Sequence, residues 1–341
     1  MHPLAVARVM SDVVLSARGL VKRFPVRRNL FARTRAYVHA VDDVSLEVAA
    51  GDTLGIVGES GCGKSTLGRA LLWLDIPERG DVAIDGTQLR ALKRGDLRAM
   101  RKQMQIVFQD PFESLNSRHT VAGILSEPFA IHGLGDATER SRWVRELLDR
   151  VGLPASALDR FPHEFSGGQR QRIGIARAIA LRPKLLICDE AVSALDVSVQ
   201  AQIVNLLLQL QRDMGLAIVF IAHDLTVVKH VSDRVAVMYL GQIVETASAV
   251  RIYSAPRHPY TRALIAAIPA HGHTLNVDRQ PAARGERIRL SGDVPSPIHL
   301  PSGCRFHTRC MHANEQCRTL PPQLETLSDG SSIRCHRWNE I

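Results

Sequence analysis

Residues 58–66 read Gly58-Glu59-Ser60-Gly61-Cys62-Gly63-Lys64-Ser65-Thr66, a G-x-x-x-x-G-K-S-T run between the apolar segment Thr53 to Val57 and a helix expected to begin near Lys64. No other feature constrains the fold as strongly, because this strand–loop–helix context belongs to α/β domains that bind phosphate at a strand end. Glycines at 58, 61 and 63 let the backbone turn tightly enough for successive N–H groups to wrap the β-phosphate. The helix N-terminus adds its partial positive charge. Lys64 is expected to reach the β- and γ-phosphate oxygens and Ser65 to hold Mg²⁺, with ATP or GTP as the ligand.

A chain of 341 residues with 45% hydrophobic content has room for about two globular domains. No apolar stretch approaches the ~18–20 residues of a membrane-spanning helix, the longest being Leu216 to Ala222. The first residues lack the apolar core of a signal peptide, so a cytoplasmic location is expected. The net charge of +9 is uneven: Arg8, Arg18, Lys22, Arg23, Arg27, Arg28, Arg33 and Arg35 face Asp12 alone within residues 1–36. Such a run suits anionic headgroups, nucleic acid or simply a solvated arm. Nucleic acid is not an expected partner.

Strand-like and helix-like segments alternate over the first ~265 residues, which predicts an α/β core with a mainly parallel sheet. Val41 to Val48 and Asp81 to Asp85 read as strands of an antiparallel flank, Leu185 to Cys188 and Ala217 to Ile221 as buried parallel strands. Helical spacing over Asp136 to Val151 and Gly167 to Ala180 makes residues 111–165 a helical insertion. Beyond Ile268, Pro, Gly, Arg and His become frequent and the periodicity fades. The expected division is a nucleotide-binding domain over 13–268 and a small C-terminal domain over 270–341.

Further motifs follow the phosphate loop in order. Gln109 stands in Val107-Phe108-Gln109-Asp110, and Phe165-Ser166-Gly167-Gly168-Gln169 precedes a long helix. Then come Leu185-Leu186-Ile187-Cys188-Asp189-Glu190, Ser193-Ala194-Leu195-Asp196 and Ile221-Ala222-His223-Asp224. Asp189 ends an apolar strand, where open α/β sheets bind ligands, and its carboxylate suits Mg²⁺. Glu190 is the carboxylate best placed to polarise an attacking water, while Gln109 and His223 suit contacts to a γ-phosphate. Ser166, Gly167 and Gly168 at a helix N-terminus form a second phosphate-binding surface.

This ordered set resembles the ATP-binding subunits of ABC transporters, from about residue 13 to the end of the chain. The resemblance implies the P-loop ABC-type cassette with an antiparallel β flank and a helical subdomain. It implies Glu190 and His223 as catalytic residues and Mg²⁺ at Ser65, Gln109 and Asp189. It also implies that Ser166, Gly167, Gly168, Gln169 and Asp196 serve nucleotide held by a second ATPase subunit, a paralogue or another copy. An upstream aromatic residue, Phe24 or Tyr37, should stack on adenine. Ala191 departs from the family, many of whose members carry Pro there, but leaves both carboxylates intact.

Gln109-Asp110-Pro111-Phe112-Glu113-Ser114-Leu115-Asn116, His258-Pro259-Tyr260-Thr261 and Gly303-Cys304-Arg305-Phe306-His307-Thr308-Arg309-Cys310 are similar to the oligopeptide, dipeptide and nickel import ATPases. Ser114-Leu115-Asn116-Ser117-Arg118 is closer to the second of their two paired ATPases. The implied setting is the cytoplasmic face of the inner membrane, with two permease subunits and, indirectly, an extracytoplasmic peptide-binding protein. Cys304, Cys310, Cys317 and Cys335 are spaced C-x5-C-x6-C-x17-C in a segment too short and polar for much core. A metal staple is the natural cytoplasmic alternative to disulfides. The spacing lacks the C-x2-C knuckle of structural zinc, and the possibilities are zinc, a [4Fe–4S] cluster such as members of the import group carry, or unligated thiols. His307, His312 and His336 read as surface residues.

Overall fold

The structure is a computed structural model that describes residues 13–26, 36–110, 114–268 and 292–341. Most of the basic run (Arg8, Arg27, Arg28, Arg33 and Arg35), Pro111 to Glu113 and the boundary expected near residue 270 lie outside the described residues.

The chain opens with a flank in which β1 (Val13–Val26) pairs antiparallel with β2 (Ala36–Ala49). Val44, Leu46 and Val48 are buried while Ser45 and Glu47 between them are exposed, the period-two pattern of a strand with one covered face. The fully buried β3 (Thr53–Val57) follows and runs through the phosphate loop into α1 (Lys64–Leu71). β4 (Arg79–Ile84) and β5 (Thr87–Gln88) return to the flank, completing a four-stranded sheet ordered β2-β1-β4-β5. Asp85 leaves β4 for the turn, where it and Gly86 carry φ of 49° and 75°. Asp-Gly is the pair that the tight hairpin turn with two positive φ angles favours.

After α2 (Arg94–Met100) and β6 (Met104–Val107), the chain forms the helical subdomain with α3 (Val121–Ile131), α4 (Ala137–Arg150) and α5 (Gly167–Ile179). α4 begins at a reciprocal cap: Asp136 Oδ1 accepts the Glu139 N–H at 2.9 Å and Glu139 Oε2 accepts the Asp136 N–H at 2.9 Å. Its buried stripe of Val144, Leu147 and Leu148 faces the subdomain core, and Trp143 meets Phe129 of α3 at 5.0 Å between ring centroids.

β7 (Leu185–Asp189), α6 (Val197–Met214), β8 (Ala217–Ile221), α7 (Leu225–Val231), β9 (Arg234–Tyr239) and β10 (Gln242–Ser248) complete the core. α8 (Ala249–Ser254) and α9 (Pro259–Ala266) follow, then α10 (Glu315–Thr319), β11 (Glu325–Thr326) and β12 (Ser332–Ile333) in the C-terminal segment. The large sheet is ordered β11-β12-β10-β9-β3-β8-β7-β6, parallel from β9 through β6 and antiparallel from β9 outward to β11. β12 pairs Ile333 with Glu245 of β10, so the C-terminal segment extends the nucleotide-site sheet. Phe306 is 2% exposed and meets Tyr239 and Tyr260 at 5.3 and 5.4 Å between ring centroids.

Candidate functional site

β3, β8 and β7 are neighbours, so the segments leaving their C-terminal ends share one edge of the sheet. The phosphate loop leaves β3, Asp189 ends β7 and His223 follows β8. Strands support the loop from behind. A Cβ on Gly63, whose φ is 107°, would lie 1.9 Å from the Ala40 carbonyl oxygen, and one on Gly58 would lie 2.2 Å from that of Met238. Only glycine fits either position. Ser60 and Gly61 are exposed, Cys62 is buried, and Ser65 and Thr66 are half-buried at the start of α1.

Lys64 is buried and its Nζ donates to the carbonyls of Gly58 (2.8 Å) and Glu59 (3.1 Å). Ser65 Oγ donates to Asp189 Oδ1 at 2.9 Å. Burial pushes the Asp189 carboxyl above its ordinary range, the hydrogen bond from Ser65 opposing that shift. A buried carboxylate beside a hydroxyl is an all-oxygen donor set of the kind a hard divalent cation relieves.

Glu190 has φ of 48°, a conformation that costs a non-glycine residue ~1–3 kcal/mol and that clusters at functional sites. Its N–H donates to the Ile221 carbonyl at 2.9 Å and its own carbonyl accepts from Ser193 Oγ at 3.0 Å, which hold the backbone there. Gln109 Nε2 donates to Glu190 Oε2 at 2.9 Å, and His223 Nδ1 lies 3.5 Å from the same oxygen. Residues from the segments after β6, β7 and β8 thus converge on one carboxylate oxygen. Gln109, expected beside Ser65 and Asp189, directs its amide N–H at Glu190 instead.

The residues expected to form a second phosphate-binding surface lie at the N-terminus of α5. Ser166 Oγ accepts the Gln169 N–H at 3.3 Å and Gln169 Oε1 accepts the Ser166 N–H at 3.0 Å, so the Gln169 side chain is engaged in the cap. Ser166 is exposed, Gly167 half-buried and Gly168 buried, where a Cβ would meet Val199 Cγ1 at 2.3 Å. Asp196 caps α6 with Oδ1, accepting from the Val199 N–H (3.0 Å) and Ser198 Oγ (2.7 Å). These bonds, that from the Val199 N–H first, hold its carboxyl below the usual range.

Phe24 and Tyr37 are each 37% exposed on the β1–β2 pair. Phe24 stands opposite Val38 and Tyr37 opposite Pro25, so strand alternation sends the two rings to opposite faces. Only one of them faces any single ligand. Lys22 Nζ lies 5.2 Å from the centroid of the Phe24 ring.

His258-Pro259-Tyr260-Thr261 marks a subfamily in the sequence and supports the loop in the fold. His258 Nδ1 accepts the Tyr260 N–H at 3.1 Å to cap α9, and full burial drives its pKa down to about 3, keeping the ring neutral. The Tyr260 hydroxyl accepts the N–H of Glu59 at 2.9 Å. Sequence reasoning misses this pair, because nothing in residue type or spacing links position 260 to position 59.

Cys304, Cys310, Cys317 and Cys335 are free thiols lining one small cavity with His307, His312 and His336. Burial pushes Cys304 up to about 12 and Cys335 up to about 11, the neighbouring thiols adding to both shifts. The histidines are half-buried rather than surface residues, and His307 and His336 contact the carbonyls of Cys304 and Leu320 at 2.9 Å each. Among the described residues no group of three or more His, Cys, Asp or Glu is arranged to hold a metal ion. The thiols share a cavity, and the metal site expected there, zinc or [4Fe–4S], gains no support from this arrangement.

Residues 41–193 match the family profile described as "ABC transporter", and residues 244–317 that of "Oligopeptide/dipeptide transporter, C-terminal region". The chain is 49% identical over 327 residues to a probable peptide ABC transporter ATP-binding protein, y4tS, of Sinorhizobium fredii, covering 96% of this chain and 90% of that protein. It is 48% identical over 329 residues to the oligopeptide transport ATP-binding protein AppF of Bacillus subtilis, covering 96% and 98%. Among solved structures, cbiO1 of Clostridium perfringens, part of the ABC transporter complex cbiONQ, superposes with a TM-score of 0.62 at 27% identity, over 72% of this chain and 92% of that one. The dimeric ATP-binding cassette MJ0796, in a post-hydrolysis state bound to ADP and Pi, does so with a TM-score of 0.61 at 26% identity, over 69% and 98%.

Proposed function

The chain belongs to the ATP-binding subunits of ABC transporters, in their oligopeptide and dipeptide group, and on that premise we propose that it hydrolyses ATP to drive short peptides inward through two membrane-spanning permeases. The observation that carries the mechanism is the convergence of Gln109 and His223 on Glu190 Oε2, at 2.9 and 3.5 Å. Glu190 takes the proton of the attacking water, Gln109 orients that water against the γ-phosphate, and His223 donates to the γ-phosphate oxygens. Lys64 exchanges its contacts with the Gly58 and Glu59 carbonyls for β- and γ-phosphate oxygens. The oxygens of Ser65 and Asp189, with Gln109 as a third donor once it turns from Glu190, suit Mg²⁺, which when bound offsets charge on those phosphates.

The exposed Ser166 and half-buried Gly167, with their capped helix behind them, serve nucleotide on a second ATPase subunit, a paralogue or another copy of this chain. No helix among the described residues is long and apolar enough to cross a membrane. The subunit works at the cytoplasmic face of the inner membrane, docked on its permeases, with an extracytoplasmic peptide-binding protein delivering cargo and no nucleic acid involved. Transport follows because the closed, ATP-bound pair of cassettes binds the permeases differently from the open pair.

The four cysteines suit a [4Fe–4S] cluster by donor type, four thiols on one short segment. Bound there, it would act as a structural staple for a segment with little core.

The test is purification of the tagged chain from membranes in mild detergent. Two permeases and an ATP-binding subunit should copurify, and peptide-loaded binding protein should stimulate MgATP hydrolysis by the complex. Recovery of the chain without any integral membrane protein would overturn the transport reading.

A further inference from the structure

Arginines of the C-terminal segment reach acidic side chains around the phosphate loop. Arg305 pairs with Asp42 of β2 and donates to the Leu240 carbonyl, and Arg334 pairs with Asp43 at 3.0 Å. These contacts tie the segment to the flank of the loop. Between them in sequence, Arg309 engages the loop itself: Nη1 donates to Glu59 Oε2 at 2.7 Å and Nη2 to Glu59 Oε1 at 3.0 Å. The Arg309 side chain is 6% exposed and that of Glu59 25%, so the pair is shielded from water, and its two parallel bonds fix direction as well as distance. Tyr239 supports the guanidinium from its ring face, 6.0 Å from the centroid.

Glu59 is consequently held at three points. Arg309 holds its carboxylate, the Tyr260 hydroxyl holds its N–H at 2.9 Å, and Lys64 Nζ holds its carbonyl at 3.1 Å. Only the last contact uses a group that a phosphate would claim. Glu59 is also the one carboxylate in residues 58–66. Left unpaired beside a polyphosphate in a partly desolvated site, it would repel the ligand.

We infer that Arg309 is a positioning residue for ATP, supplied to the phosphate loop by the C-terminal segment. It neutralises Glu59 and fixes the backbone from which the phosphate-binding N–H groups of Ser60 to Ser65 follow. The inference rests on residues 58–66 being the ATP site.

A double-substitution cycle on the full chain separates the two ideas, read as equilibrium binding of a fluorescent ATP analogue (mant-ATP) with Mg²⁺. Arg309→Gln should weaken binding about tenfold, a coupling typical of contacting charged residues. The same substitution in a Glu59→Gln background should weaken it less than about threefold, because no carboxylate is left unpaired. In steady-state hydrolysis the KM for ATP should rise while kcat stays within about twofold, since the lost contact acts on nucleotide binding. Equal losses in both backgrounds, or no loss in either, would overturn the inference while leaving the ATP site in place. Arg309→Lys keeps charge and stem, and serves if the Gln variant does not fold. Binding intermediate between wild type and the tenfold loss is then expected, and unaltered affinity overturns the proposal. A wild-type chain that binds no mant-ATP would remove the ATP site and this inference together.

Discussion

At the scale of single residues, the chemistry is concentrated where Glu190 sits in a left-handed backbone conformation with Gln109 and His223 on one carboxylate oxygen. Glu190→Gln keeps the shape and removes the base. ATP binding should persist while steady-state turnover falls by ~10²–10⁴, the loss expected for a positioned general base. ATP-bound dimer should then accumulate, and turnover within about twofold of wild type would remove Glu190 from its role. The identities of Asp189 and Glu190 are legible in the sequence because an apolar strand must end where the carboxylates begin. The strain at Glu190 is not legible, since its N–H is held by the Ile221 carbonyl, which belongs to a neighbouring strand rather than to the local run. Nor is it visible that Phe24 and Tyr37 lie on opposite faces until the β1–β2 register is known.

At the scale of elements, helix starts are the most legible features, because capping residues act over three or four positions of local chain. Asp136 and Ser166 cap α4 and α5 at the starts of the stretches that helical spacing marks. The start of α5 also carries a prediction. Ser166→Arg puts a cation against the positive end of the helix and a long side chain where a partner's γ-phosphate would lie. Binding of ATP to the single chain should survive, whereas ATP-driven dimerisation, measured by size-exclusion chromatography in the Glu190→Gln background, should be lost. A variant that dimerises normally and supports full peptide uptake would contradict the interlocked arrangement. The role of α9 is harder to read. Its capping His258 and its Tyr260 serve a loop about two hundred positions earlier in the chain, a relation only the tertiary packing creates.

At the scale of the whole molecule, the alternation of elements is enough to predict an α/β core with a flank and a helical insertion. The attachment of the C-terminal segment is not predictable that way, because it runs through arginine–carboxylate pairs and a two-residue strand, neither of which has a periodic signature. Its four cysteines give the remaining prediction. Protein purified without oxygen should be brown and hold about four iron atoms per chain if the cluster forms. Replacing any one of Cys304, Cys310, Cys317 or Cys335 by Ser should bleach that colour and raise protease sensitivity within residues 300–340. Colourless anaerobic protein with stoichiometric zinc would replace the cluster by zinc, and absence of any metal would leave the four as unligated thiols.

The pairing of Ile333 with Glu245 has a bearing on biogenesis. Every other strand of the nucleotide-site sheet except β11 has emerged by Ser248, yet β10 keeps an open side until a far later stretch of chain arrives to cover it. During synthesis the newborn cassette therefore carries a sticky strand edge that another nascent chain could capture. That later segment acts as the lid on the hazard, and a ribosome that stalls before Ser332 releases a domain with its nucleotide motifs complete and its sheet unsealed.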